Sequence, residues 1–108
     1  MDTAAPLNLD HMRASARTVT ALLRALANED RLLLMCQISQ GEKSVGELET
    51  LLDIRQPTLS QQLGVLRSEG LVSTRRDGKR IYYSVGDPKV LAVLERLYTL
   101  YCLPDATP

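Results

Sequence analysis

The apolar residues of this 108-residue chain recur at two spacings, and the change from one to the other divides it into elements. From Asp10 to about Ala27, the residues Met12, Ala16, Val19, Leu22, Leu23 and Leu26 return every three or four positions, the stripe of an amphipathic helix with Asp10 as its cap. Asn28, followed by Glu29 and Asp30 whose negative charge suits a helix start, predicts a second helix to about Ser39 that stops at Gly41. Ser44 and Glu47 form a capping-box pattern ahead of Leu48, Leu51 and Leu52, so a short third helix opens there and breaks at Asp53-Ile54-Arg55. Pro57 suits the first position of a fourth helix, in which Leu59, Leu63 and Leu66 keep the helical period until Gly70 supplies a left-handed end. The period then shortens to two. Leu71 to Thr74 and Arg80 to Val85 predict strands closing on a turn at Asp77-Gly78. Asp87-Pro88 starts a last helix to about Cys102, whose apolar residues cover more than one face.

Helix, turn, helix and hairpin in this order predict a mainly α fold with a small β-hairpin, a winged helix-turn-helix. It is expected to occupy residues 1–108 as one DNA-binding domain, with frayed ends at about 1–9 and 103–108. The fourth helix is the expected reader. Gln56, Thr58, Ser60, Gln61 and Gln62 are placed on its solvent face near the N-terminus, where a recognition helix points short polar groups into a major groove. Arg75, Arg76, Lys79 and Arg80 flank the hairpin turn and are expected at phosphates.

Charge changes the picture through its distribution. The formal net charge is zero, yet Arg55 to Arg80 holds six basic and two acidic residues, while Met1 to Ile54 holds five and eight. A cationic reader and wing on a neutral chain suit phosphate binding at one face. The surplus apolar surface of the last helix suits a twofold homodimer built from the first and last helices, with Leu22, Leu97 and Leu100 in its seam; a wholly internal last helix is the alternative. No apolar run reaches the length of a membrane span and the N-terminus lacks a signal-peptide order, so a cytoplasmic protein without a membrane partner is expected.

Several motifs in register make the chain resemble the ArsR/SmtB family of bacterial repressors. They are Leu26-Ala27-Asn28-Glu29-Asp30-Arg31-Leu32, Val45-Gly46-Glu47-Leu48, Gln56-Pro57-Thr58-Leu59-Ser60-Gln61-Gln62-Leu63, Leu66-Arg67-Ser68-Glu69-Gly70-Leu71-Val72 and Gly78-Lys79-Arg80-Ile81-Tyr82-Tyr83. The resemblance implies a homodimer that sits on twofold operator DNA and leaves when an inducer binds. It also implies DNA contact by the reader and wing residues named above. Many members bind metal through a Cys-x-Cys at positions that here look like Ser44 and Gly46, neither a thiolate donor. Others use Asp and His along the last helix, where Asp87 matches but Lys89 replaces a His; the lone His11 lies in the first helix. No metal site and no cofactor are therefore expected.

Two cysteines remain, Cys36 and Cys102. Taken alone they read either as small buried hydrophobes or, in a compartment that keeps thiols reduced, as a redox-sensing pair. Their contexts, Leu33-Leu34-Met35-Cys36 and Leu100-Tyr101-Cys102, are similar to the branch of the family that responds to sulfide and persulfide. That resemblance implies reactive sulfur species or other oxidants as inducer, joining the two sulfurs directly or through inserted sulfur atoms and releasing the DNA. A metal- or metalloid-responsive repressor using both thiolates is the alternative. An enzyme is not expected, since the chain has no Cys-x-x-Cys, no paired base and no phosphate-cradling glycine loop.

Overall fold

The first helix starts ahead of the expected Asp10, because Asn8 provides the cap: its Oδ1 accepts the His11 N–H at 2.9 Å. This computed structural model describes residues 8–103, so the expected fraying at residues 1–7 and 104–108 lies outside the described residues. Helix α1 (Leu9–Leu26) leads through a tight corner to α2 (Glu29–Ser39), where the Asn28 side chain accepts the Arg31 N–H at 3.0 Å, as its position ahead of two acids predicts. A two-residue strand β1 (Lys43–Ser44) runs directly into α3 (Val45–Leu52). The capping box is complete: the Glu47 N–H donates to Ser44 Oγ and the Ser44 N–H to Glu47 Oε1, at 3.2 and 2.8 Å. Asp53 then turns left-handed with φ 54° and ends the helix.

Helix α4 (Thr58–Ser68) begins one residue later than Pro57 predicts, and Gln56 Oε1 accepts the Ser60 N–H at 3.1 Å in place of a conventional cap. Gly70 has φ 75°, the left-handed conformation expected of it, and lets the chain reverse into the sheet. Strands β2 (Val72–Asp77) and β3 (Arg80–Val85) pair antiparallel, with Asp77 opposite Arg80. The connecting turn is therefore Gly78-Lys79, one residue beyond the expected Asp77-Gly78. Only Gly78, at φ 64°, needs the left-handed region, so Asp77 remains free to extend the ladder. The hairpin is also wider than predicted. β1 adds a third strand in the order β1-β3-β2, pairing Lys43 with Tyr83 and Ser44 with Tyr82. Asp87 caps α5 (Pro88–Leu97) through the Lys89 N–H at 2.8 Å, and the expected α-helical run to Cys102 instead widens into a π turn over Tyr98–Cys102, closed by the Leu103 N–H on the Tyr98 carbonyl.

The core gathers one face from each element. Leu34, Met35, Leu48, Leu59, Leu66 and Leu94 are fully buried, and Ile38, Leu63, Val72 and Val90 nearly so. Helix α2 lies at the centre, touching α1, α3, α4, α5 and β3. Helix α1 is different: only Ala25 and Leu26 are buried, Leu22 is half-buried, and every other described residue before Ala25 is open to solvent. An 18-residue helix anchored by its last turn leaves Met12, Ala16, Val19 and Leu23 of its apolar stripe uncovered by the other described residues.

Candidate nucleic-acid interface and dithiol site

Five polar residues cannot all face solvent on a helix whose buried stripe is Leu59, Leu63 and Leu66, because each step turns about 100°. Ser60 and Gln61 are exposed, as is Gln56 at the cap. Thr58 and Gln62, one turn apart, flank the buried stripe and are half-buried, which corrects the expectation that they share the solvent face. Gln62 is further engaged, its Oε1 accepting a hydrogen bond from Arg31 Nη1 at 2.9 Å.

The wing also divides. Arg75 donates through Nε and Nη2 to the two carboxylate oxygens of Glu42 at 2.8 and 2.7 Å, and its guanidinium lies 4.6 Å from the centre of the Tyr82 ring. The hydrogen bond from Arg75 holds the Glu42 carboxyl below its ordinary pKa, and Glu42 in turn raises that of Arg75. Arg75, expected at a phosphate, has its fork filled here by a carboxylate from the segment before β1. Arg76, Lys79 and Arg80 remain exposed with no ion-pair partner among the described residues. Lys79, Arg80 and Ile81 line one side of an open groove of about 670 Å³, with Val45, Gly46, Thr50 and Leu51 of α3 across from them. Ser44 and Gly46, the positions of the family's Cys-x-Cys, border this groove, and the Ser44 hydroxyl oxygen is occupied by the cap. Neither Glu42 nor Arg31 carries a local sequence signal for its role, since their partners lie 33 and 31 residues away.

Both cysteines are free thiols. Cys36, on α2, is half-buried and packs against the core; Cys102, at the end of the π turn, is exposed. Burial pushes the Cys36 thiol above its ordinary pKa, and the nearby Cys102 adds to the shift, since a thiolate on one opposes charge on the other. Two sulfurs far apart in sequence are therefore electrostatic neighbours. His11 is exposed on α1. Among the described residues no group of three or more His, Cys, Asp or Glu side chains is placed to hold a metal ion.

The uncovered apolar residues form the remaining surface of interest. Leu9, Met12, Val19 and Leu23 on α1 and Val93, Leu100, Tyr101 and Leu103 on or beyond α5 are exposed. Of the residues expected in a dimer seam, Leu100 is exposed, Leu97 is half-buried, and Leu22 packs against the core of its own protomer. No helix among the described residues is long and apolar enough to cross a membrane.

A short helix pair with an exposed reader, followed by a basic wing, defines a winged helix-turn-helix regulator of transcription. The profile of the bacterial regulatory proteins of the arsR family matches residues 28–74. A biofilm growth-associated repressor of Agrobacterium fabrum is 53% identical over 97 residues, covering 90% of this chain and 83% of that protein. The chain belongs to the arsR family, a family of DNA-binding regulators and not of enzymes. Among solved structures, the transcriptional repressor BigR of Xylella fastidiosa superposes with a TM-score of 0.81 at 45% identity, covering 91% of this chain and all 100% of that one. Reduced HlyU of Vibrio cholerae gives 0.83 at 40% identity, covering 86% and 98%.

Proposed function

We propose that this regulator is a homodimeric repressor of twofold operator DNA whose Cys36 and Cys102 sense reactive sulfur species. The observation that carries the reading is their arrangement. One thiol is half-buried on the central helix α2, the other is open to solvent at the end of the π turn that follows α5, and the two are close enough for their charges to interact. Its similarity to a regulator studied in a specified reduced form supports thiol chemistry as the input. The whole chain acts as one DNA-binding domain in the cytoplasm. Ser60 and Gln61, with the amide NH2 of Gln56, read bases; Arg76, Lys79 and Arg80 hold phosphates; Thr58 lies at the reader's flank, and Arg75 stays with Glu42 to brace the wing. The α1 stripe and the end of α5 form the dimer seam.

The chemistry balances with an organic persulfide as the oxidant. The exposed Cys102 thiolate attacks its terminal sulfur, the donor's S–S bond breaks, and the donor leaves as a thiol, so that Cys102 carries a persulfide. The Cys36 thiolate then attacks Cys102 Sγ and expels hydrosulfide, forming a Cys36–Cys102 disulfide. If Cys36 has first been persulfidated in the same way, its outer sulfur is the attacker and the bridge keeps one inserted sulfur. Either bridge ties α2 to the end of α5, and readers that must occupy major grooves about 34 Å apart lose their spacing.

The test is mass spectrometry and operator binding after exposure to an organic persulfide. Expected are the mass of a bridge within one protomer, loss of both free thiols, weaker operator binding and recovery with a reductant; Cys36→Ser and Cys102→Ser bind DNA but no longer release it. Release by a single-cysteine variant, or release driven by stoichiometric zinc, cadmium or arsenite in place of the persulfide, refutes the dithiol reading.

A further inference from the structure

Arg31 is a side chain that joins three helices. Its backbone is set by the Asn28 cap at the start of α2. Its half-buried guanidinium donates through Nε to the Ala25 carbonyl at 2.6 Å and through Nη2 to the Arg24 carbonyl, which also accepts the Ala27 N–H, at 3.5 Å, both at the C-terminal end of α1, where a cation is favoured. The remaining arm, Nη1, donates to Gln62 Oε1 on α4 at 2.9 Å. A planar fork with fixed donor directions can serve all three acceptors; a lysine ammonium supplies one point of charge in place of three aimed donors.

The contact to Gln62 matters because of what else holds α4. Leu59, Leu63 and Leu66 bury one face of the helix, and apolar burial is non-directional: it fixes depth better than rotation. Gln62 directly follows Gln61, so a hydrogen bond there pins the rotation of the face that carries Ser60 and Gln61. With side-chain tips about 5 to 6 Å from the helix axis, a rotation of roughly 20° moves them by about 2 Å, more than a base hydrogen bond tolerates. Cys36 stands five residues beyond Arg31 on the same helix, about 7.5 Å along its axis at the α-helical rise.

We infer that Arg31 is a positioning residue for DNA reading: its hydrogen bond to Gln62 sets the rotation of α4, and it is the contact through which a displacement of α2 at Cys36 reaches the reader. The second half rests on the dithiol reading above. The first does not. Gln62 thereby acts from behind the reading face, and its neighbour Gln61 meets the base.

The test uses the full chain and two duplexes, the one that the reduced protein selects from a random library and a scrambled duplex of equal length. Each is titrated with reduced and persulfide-treated protein, with bridge formation followed by mass. Gln62→Met keeps the length of the side chain and the α1–α2 contacts of Arg31 but removes the acceptor. It is expected to lower the preference for the selected duplex by roughly ten- to a hundredfold, the range of a hydrogen bond to a charged group. The bridge should form as in the unaltered protein, while the further loss of affinity on bridging shrinks to less than about threefold, a coupling near zero. Gln62→Glu keeps an acceptor for Arg31 and is expected to restore both the preference and the persulfide response. Arg31→Lys should lower the preference as Gln62→Met does, and the two changes together should do no more than either alone. Additive effects, or an Arg31→Lys variant with unaltered preference, mean that Gln62 meets a base itself and overturn the positioning role. Should Arg31→Lys fail to fold, the Gln62 pair decides: absence of rescue by Gln62→Glu overturns the role. A full persulfide response in Gln62→Met overturns the coupling and leaves the dithiol reading standing, whereas an unaltered protein that forms the bridge and keeps its DNA overturns the coupling together with that reading.

Discussion

Leu23→Ala is expected to weaken the homodimer without unfolding the protomer. Leu23 sits on the part of the α1 stripe that no other described residue covers, and 57% of it is exposed. Burying a whole leucine is worth about 1.5 to 3 kcal/mol, so covering the exposed part is worth roughly 1 to 2 kcal/mol. A twofold interface counts the residue twice, giving about 2 to 4 kcal/mol, or roughly a 30- to 900-fold rise in the dimer dissociation constant. Sedimentation velocity over a dilution series measures that constant, and circular dichroism on the same samples follows the fold. Leu51→Ala is the control. Leu51 is almost as exposed, at 52%, but it lies on α3 beside the wing, away from the proposed seam. A dissociation constant unchanged by Leu23→Ala, or shifted equally by Leu51→Ala, refutes the assignment of the seam to α1.

Four further outcomes are expected. In alkylation with iodoacetamide, Cys102 reacts before Cys36, the Cys36 rate keeps rising at pH values where an ordinary thiol has levelled off, and Cys102→Ser lowers its midpoint; a Cys36 that titrates like a free thiol contradicts this. The sign carries over to stability: a thiol whose folded-state pKa is raised supports the fold below the unfolded pKa and withdraws that support as pH climbs through the folded one, so urea midpoints should fall at alkaline pH more in the native chain than in Cys36→Ala. On a non-specific duplex, Arg80→Ala should reduce the slope of log affinity against log salt by about one per protomer, and Arg75→Ala by clearly less, because Glu42 already neutralises that guanidinium; equal losses would return Arg75 to the phosphate-binding set. Ser44→Ala removes half of the capping box and should cost about 0.5 to 2 kcal/mol in chemical denaturation, and an unchanged midpoint would deny the cap any weight.

What could be read from the sequence was local. The Ser44 and Glu47 pair, the left-handed Gly70 and Gly78, the Asn28 and Asp87 caps and the bounds of β3 all follow from a few neighbouring residues and are found where those residues place them. Boundaries slipped where two neighbouring residues were each suited to the same position. Asn8 took the cap from Asp10, and Asp77 joined the ladder opposite Arg80 in place of entering the turn. Strand β1 is two residues long, too short for any period, and it forms only because β3 offers an edge to pair with. The division of the site into free and occupied side chains was hidden altogether. Whether Arg75 or Gln62 can meet DNA depends on Glu42 and Arg31, residues that the fold brings over from distant segments.

Ser44 is at once the last residue of β1, paired with Tyr82 of the wing, and the cap of α3. No hinge separates sheet from helix at that point, and a hinge is what a protein needs in order to adjust two DNA contacts one at a time. In the proposed DNA complex the wing and α3 would then move together against the duplex. On that reading an operator half-site presents its reading edge and its flanking phosphates in one fixed relation, and inserting one base pair between them should cost more than altering a base within either.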